Sequence, residues 1–153
     1  AFFHPFHRGP ADLHSADFHA RRLDDFTACL GQLDNGDYRA SMRATYDAKH
    51  GIVSPFVSWQ VFDGELLELA LACIPAAHLK KAFERILLDI KSNRTGFPDL
   101  IQFWPAEQRY RMIEVKGPGD RLQDNQQRWI AYCAQHAMPV TVCYLQWSQA
   151  VAA

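Results

Sequence analysis

Pro98-Asp-Leu-Ile-Gln-Phe-Trp-Pro-Ala-Glu-Gln-Arg-Tyr-Arg-Met-Ile-Glu-Val-Lys116 reads as a β-hairpin with charged residues gathered at its open end. Residues 99–104 and 109–116 carry strand character, and Pro105-Ala-Glu-Gln108 between them is a polar break of hairpin length. If Trp104 pairs with Arg109, the same register sets Asp99 opposite Glu114, with side chains roughly 5 Å apart on one face. Two opposed carboxylates repel unless a positive group lies between them. Lys116 is two residues beyond Glu114 and points to the same face. Two carboxylates and a lysine converging in this way suit a divalent-metal site for phosphodiester hydrolysis. Spacing alone also allows an ordinary cross-strand ion pair.

Outward from the hairpin, the order of elements is α/β with a mixed sheet. Residues 2–7 read as a short strand, with Pro5 placing it at an edge. Residues 17–33 read as a helix with Phe18, Phe26, Leu30 and Leu33 inward, stopped by Asn35-Gly36. A second helix covers 37–50 and ends at Gly51, and a third, over 63–72, is capped by Asp63. Residues 76–92 form a longer helix with Leu79, Phe83, Ile86 and Ile90 at helical spacing. After Gly117-Pro-Gly119, an amphipathic helix is expected over 120–137, opened by a capping box of Asp120 and Gln123. Residues 140–145 read as a buried strand, which the crossover helix makes parallel to its predecessor.

At 153 residues and 48% apolar content the chain fits one globular domain. No apolar run is long enough to span a bilayer, so no membrane partner is expected. The first residue is not Met, which reads as a fragment of a larger protein. The four cysteines lack C-x-x-C spacing, and reduced, mostly buried thiols are expected, which suits an intracellular setting: cytoplasmic in a bacterium, nuclear in a eukaryote. Residues 1–79 hold 6 Lys/Arg against 10 Asp/Glu, whereas residues 80–153 hold 10 against 7, so the half with the hairpin is the more cationic. That polarity suits a nucleic-acid face.

Pro98-Asp99 followed by Glu114-Val-Lys116 resembles the PD-(D/E)XK nuclease superfamily. The longer run Glu114-Val-Lys-Gly-Pro-Gly-Asp-Arg-Leu122, behind Gly96-Phe-Pro-Asp-Leu100, is similar to the VRR-NUC domain, and most like that of the Fanconi-associated structure-specific nucleases. Val57-Ser-Trp59 and Pro10-Ala-Asp-Leu13 extend the resemblance over nearly the whole chain, taken as one VRR-NUC domain, residues 1–153. It implies a restriction-endonuclease-like mixed sheet flanked by helices, with a helical insertion before the catalytic hairpin. It implies Mg²⁺ or Mn²⁺ held by Asp99, Glu114 and the backbone carbonyl of Val115. Lys116 would orient or deprotonate the attacking water, and Gln126 would orient Lys116 or a metal-bound water.

The implied substrate is branched DNA with a 5′ flap, cut endonucleolytically and trimmed 5′ to 3′ in interstrand crosslink repair, with repair-protein partners engaged through N-terminal regions. Arg121 and the Gly117/Gly119 turn, leading into a helix N-terminus, would hold a phosphate. Lys80, Lys81 and Arg85 are further candidates for DNA contact, against the reading of a solvated face. His4 and His7 lack metal-ligand spacing, and His7 falls near a polar position of the family site. The family takes a third carboxylate from a helix that precedes the segment matched by residues 2–13, and none of Glu65, Glu68 or Glu84 sits in a matching motif. The alternative function is therefore a catalytically incomplete DNA-binding module that keeps the nuclease fold.

Overall fold

The computed structural model describes residues 9–146. The expected strand over 2–7, with His4 and His7, lies outside the described residues. A short 3-10 turn, Ala20–Arg22, precedes α1 (Leu23–Asn35). Gly36 closes α1 in the left-handed region, φ 87°, which a side chain would strain. Helix α2 (Tyr38–Lys49) follows at once, and α3 (Gly64–Cys73) starts where the Asp63 carboxylate accepts from the Leu66 N–H at 2.8 Å. Leu33, Tyr38, Leu67 and Leu71 make a buried cluster among these three helices.

The helix expected over 76–92 is two helices, α4 (Ala76–Leu88) and α5 (Ile90–Asn93). Asp89 is extended, and its carboxylate accepts from the Ser92 N–H and hydroxyl. Local capping of this kind competes with the continuous helix and wins here. Phe83, expected inward, is exposed, while Ile86 packs on two of the buried clusters and Ile90 is buried against Leu13 and Phe18.

Strands β1 (Leu100–Trp104) and β2 (Arg109–Lys116) form the antiparallel hairpin with Trp104 opposite Arg109, the register that the sequence suggested. Strand β3 (Val140–Tyr144) runs parallel to β2, giving the mixed order β1-β2-β3. Helix α6 (Asp124–Gln135) makes the crossover. Alternate residues of β2 are buried. Tyr110 and Met112 join Trp129, Cys133, Cys73 and Met138 in the main core. Strand β3, expected to be buried, is half exposed because it is an edge among the described strands. The four cysteines are free, but only Cys73 and Cys133 are buried, whereas Cys29 and Cys143 are exposed, a correction to the mostly buried expectation.

Inside this core the Tyr110 hydroxyl lies 3.0 Å from His78 Nδ1. Burial pushes Tyr110 up, so the phenol keeps its proton beside the imidazole, and the tautomer of His78 sets which of the two donates. Burial holds His78 below its ordinary 6.5. The unfolded chain therefore binds more protons at this ring than the folded protein does, and stability falls as pH drops through the region below 6.5. Lowering pH from about 7.5 to about 5.5 should reduce the thermal midpoint of wild type more than that of His78→Gln, which cannot titrate there. Parallel slopes in differential scanning calorimetry would show that His78 contributes nothing to the acid sensitivity.

Candidate metal and nucleic-acid site

On β2, Tyr110, Met112, Glu114 and Lys116 form one row on the helix-covered face. The first two belong to the apolar core. The last two continue it with charges: Glu114 is 1% and Lys116 7% exposed. Their ion pair spans 2.8 Å between Lys116 Nζ and Glu114 Oε1. A buried pair is tolerated only when further hydrogen bonds satisfy it, and Gln126 on α6 provides them.

Gln126 Oε1 accepts from Lys116 Nζ at 2.8 Å and from the Gln123 N–H at 2.9 Å. Its amide nitrogen then faces Glu114 Oε1 and donates to it. The orientation of the amide is thus dictated by its partners. The same side chain completes a reciprocal capping box with Gln123, so the helix start and the site share one residue.

Glu114 Oε1 has two donors, while Oε2 is buried with no hydrogen-bond partner among the described residues. An ionised oxygen in that condition is costly unless a cation neutralises it. Asp99 is exposed and its Oδ2 accepts from the Val115 N–H at 2.9 Å. Extending the β1–β2 register puts Asp99 opposite Glu114. Both carboxylates so placed can offer hard oxygens of the type that Mg²⁺ and Mn²⁺ prefer, and the orphaned Oε2 is the observation that fits a cation there. Among the described residues no group of three or more His, Cys, Asp or Glu converges. Glu68 is engaged by Arg43 and Glu84 by Lys81.

Lys116 is held above its ordinary value, first by its hydrogen bond to Glu114 and then by the charges of Glu114, Asp99 and Asp120. It is an ammonium in the metal-free protein. Two of its three N–H bonds go to Glu114 and Gln126.

The other expected contacts fall differently. Helix α6 starts at Asp124 with Gln123 as its cap, so the capping box sits three residues beyond the expected one. Asp120 instead closes the turn: its carboxylate accepts from the Gly117 N–H at 3.0 Å, and its own N–H donates to the Gly117 carbonyl. The Gly117/Gly119 turn therefore does not lead directly into a helix N-terminus, and the Gly117 N–H is already used. Gly119 has φ 84°, which explains its residue type by conformation. Arg121 is exposed in the irregular connection before α6 rather than on its first turn.

Lys80, Lys81 and Arg85 are not a free cationic cluster. Lys80 pairs with Asp34 and Lys81 with Glu84, and the Arg85 guanidinium lies over the rings of Trp129 and Tyr132 at 4.8 and 4.5 Å. Periodicity placed them on a polar side but could not show these partners.

The segment before β1 is fastened to α6 by residues to which the sequence reading gave no structural role. The Asn93 carbonyl accepts from Trp129 Nε1 at 3.0 Å, Thr95 accepts from Asn125, and Phe97 meets Trp129 edge-on at 4.6 Å. Gly96, at φ 82°, lies so close to Asn125 that a Cβ would come within 2.7 Å of its backbone carbon. The Gly96-Phe-Pro-Asp run was the available signal, although its α6 partner is far away in sequence.

A model of the VRR-NUC domain matches residues 33–147. A Fanconi-associated nuclease 1 homolog of Pseudomonas aeruginosa is 63% identical over 147 residues, covering 96% of this chain and 26% of its own length. A homolog from Caenorhabditis elegans is 30% identical over 140 residues, 89% of this chain and 16% of its own. A crystal structure of paFAN1 bound to 2-nucleotide 5′ flap DNA with a gap superimposes with a TM-score of 0.92 at 62% identity, covering 97% of this chain and 27% of that one. The chain spans about a quarter or less of the length of these relatives.

Proposed function

We propose, given that the chain belongs to the VRR-NUC domain family, that it is the metal-dependent phosphodiesterase module of a structure-specific DNA nuclease. The observation that carries this reading is the buried Glu114 Oε2, without a partner among the described residues, beside a carboxylate and a lysine. Mg²⁺ or Mn²⁺ would be held by Asp99, Glu114 and the Val115 carbonyl. When bound, the ion would polarise the phosphate and acidify an attacking water. Lys116, kept charged, has an N–H left over to orient that water and to stabilise charge developing on the phosphoryl oxygens. Gln126 holds Lys116 and Glu114 in place, and Arg121, exposed before α6, would meet a backbone phosphate. The relatives' DNA complexes contain 5′ flap DNA, which supports branched DNA with a 5′ flap as the substrate. Interstrand crosslink repair, 5′ to 3′ trimming, repair-protein partners and an intracellular location belong to the same proposal.

A second reading, a DNA-binding module that is catalytically incomplete by itself, is favoured by the convergence of only two carboxylates among the described residues. Calorimetric titration with Mn²⁺ tests the metal site directly. Wild type should show a site that Asp99→Asn loses. Equal binding by both would move the metal elsewhere, and metal binding without cutting of labelled 5′ flap DNA would favour the second reading.

A further inference from the structure

We propose that Pro98 is a positioning residue whose missing N–H keeps the Val115 carbonyl open to the cation, an inference that rests on the metal-site reading above. The argument comes from the hydrogen-bond alternation of β2. The Met112 N–H donates to the Pro139 carbonyl at 2.9 Å, and the Leu145 N–H donates to the Lys116 carbonyl at 2.8 Å. Peptide groups of the even-numbered residues therefore face β3. Those of the odd-numbered residues face β1, as the Val115 N–H does when it donates to Asp99.

The β1–β2 ladder ends at the pair Leu100–Ile113. In an antiparallel ladder, residues that exchange both hydrogen bonds recur every second position. The next such pair in this register is residue 98 with Val115. The chain bends at Asp99, just before β1; carried through that bend, the same register would bring the N–H of any residue other than proline at 98 toward the Val115 carbonyl. Proline has none to give, and the start of a strand is where proline is tolerated. No turn or loop N–H donates to that carbonyl among the described residues. The Val115 N–H, for its part, is taken by the Asp99 side chain instead of the backbone at 98. Pro98 thus removes the sheet's own competitor for the carbonyl at the point where Asp99 and Glu114 face each other.

Pro98→Ala restores the donor. In the metal-free protein, the amide at position 98 should be protected from hydrogen exchange, and saturating Mg²⁺ should reduce that protection. Mn²⁺ affinity, read by electron paramagnetic resonance of the free ion, should fall by at least about tenfold, as it does when a group supporting a metal ligand is altered. Thermal stability should not fall in parallel. Pro98→Val, which also restores the N–H and favours an extended strand, should behave alike. An unprotected amide at 98 in both variants, or Mn²⁺ affinity equal to that of wild type, would overturn the proposal. If wild type bound no Mn²⁺, the metal-site reading itself would fall, while the metal-free exchange measurement would still report whether the amide at 98 reaches Val115.

Discussion

Glu114→Gln should lower metal-dependent DNA cleavage by about 10²–10³-fold or more, the usual cost of removing one pre-organised charged group from a reaction centre. The substitution keeps the side chain's shape, and its oxygen can still accept from Lys116 Nζ and Gln126. It places an NH₂ where Oε2 now lies buried and unpartnered, so the amide opposes a cation at that point. Asp99→Asn should have an effect of similar size. The two carboxylates act on one ion, so the double variant should be little slower than the worse single one. Single-turnover assays on 5′ flap DNA, in the longest form of the protein that folds, would measure this. A double variant slower by the product of the two single losses would mean that the carboxylates work independently. Gln is the informative replacement because Glu114 is buried against Lys116. Truncation to Ala would leave that ammonium without its counter-ion and confuse lost chemistry with lost stability.

Trp129→Ala should destabilise the fold by about 3–5 kcal/mol, the range for removing a large buried aromatic. Trp129 is 1% exposed in the main core, meets Phe97 and Tyr132 edge-on, and lies under the Arg85 guanidinium. Its indole N–H also satisfies the Asn93 carbonyl. Loss of the ring would therefore loosen α6 from the segment that leads to Asp99. Trp129→Phe, which keeps most of the packing and drops the hydrogen bond, should cost about 0.5–1.5 kcal/mol plus a smaller packing loss. Denaturant unfolding of both variants gives the comparison. A Trp129→Ala loss under about 1 kcal/mol would show that this core is not what secures α6.

The placement of the candidate site residues was easier to read than that of their surroundings. Asp99, Glu114 and Lys116 lie on one hairpin, where period-two alternation and a four-residue connection set the register. Gln126 was singled out through the family resemblance. The cationic contacts were not, since a lysine's partner depends on where another helix lands: Asp34 for Lys80, two rings of α6 for Arg85. The start of α6 was misplaced for a related reason. Asp120 was expected as the cap with Gln123 three residues on, but Asp120 was drawn back to the Gly117 N–H and Gln123 became the cap.

By itself the sequence determined the hairpin, its register, the parallel return of β3 and the face shared by Glu114 and Lys116, because each follows from local alternation and connection length. Tertiary structure alone decided that Glu114 and Lys116 would be buried, that Gln126 would saturate one carboxylate oxygen and leave the other bare, and that Gly96 would press against Asn125. Those outcomes depend on the approach of α6 to the sheet, and that approach is set by the packing of Trp129, Cys133 and Met138 on Tyr110 and Met112, contacts between residues distant in the chain.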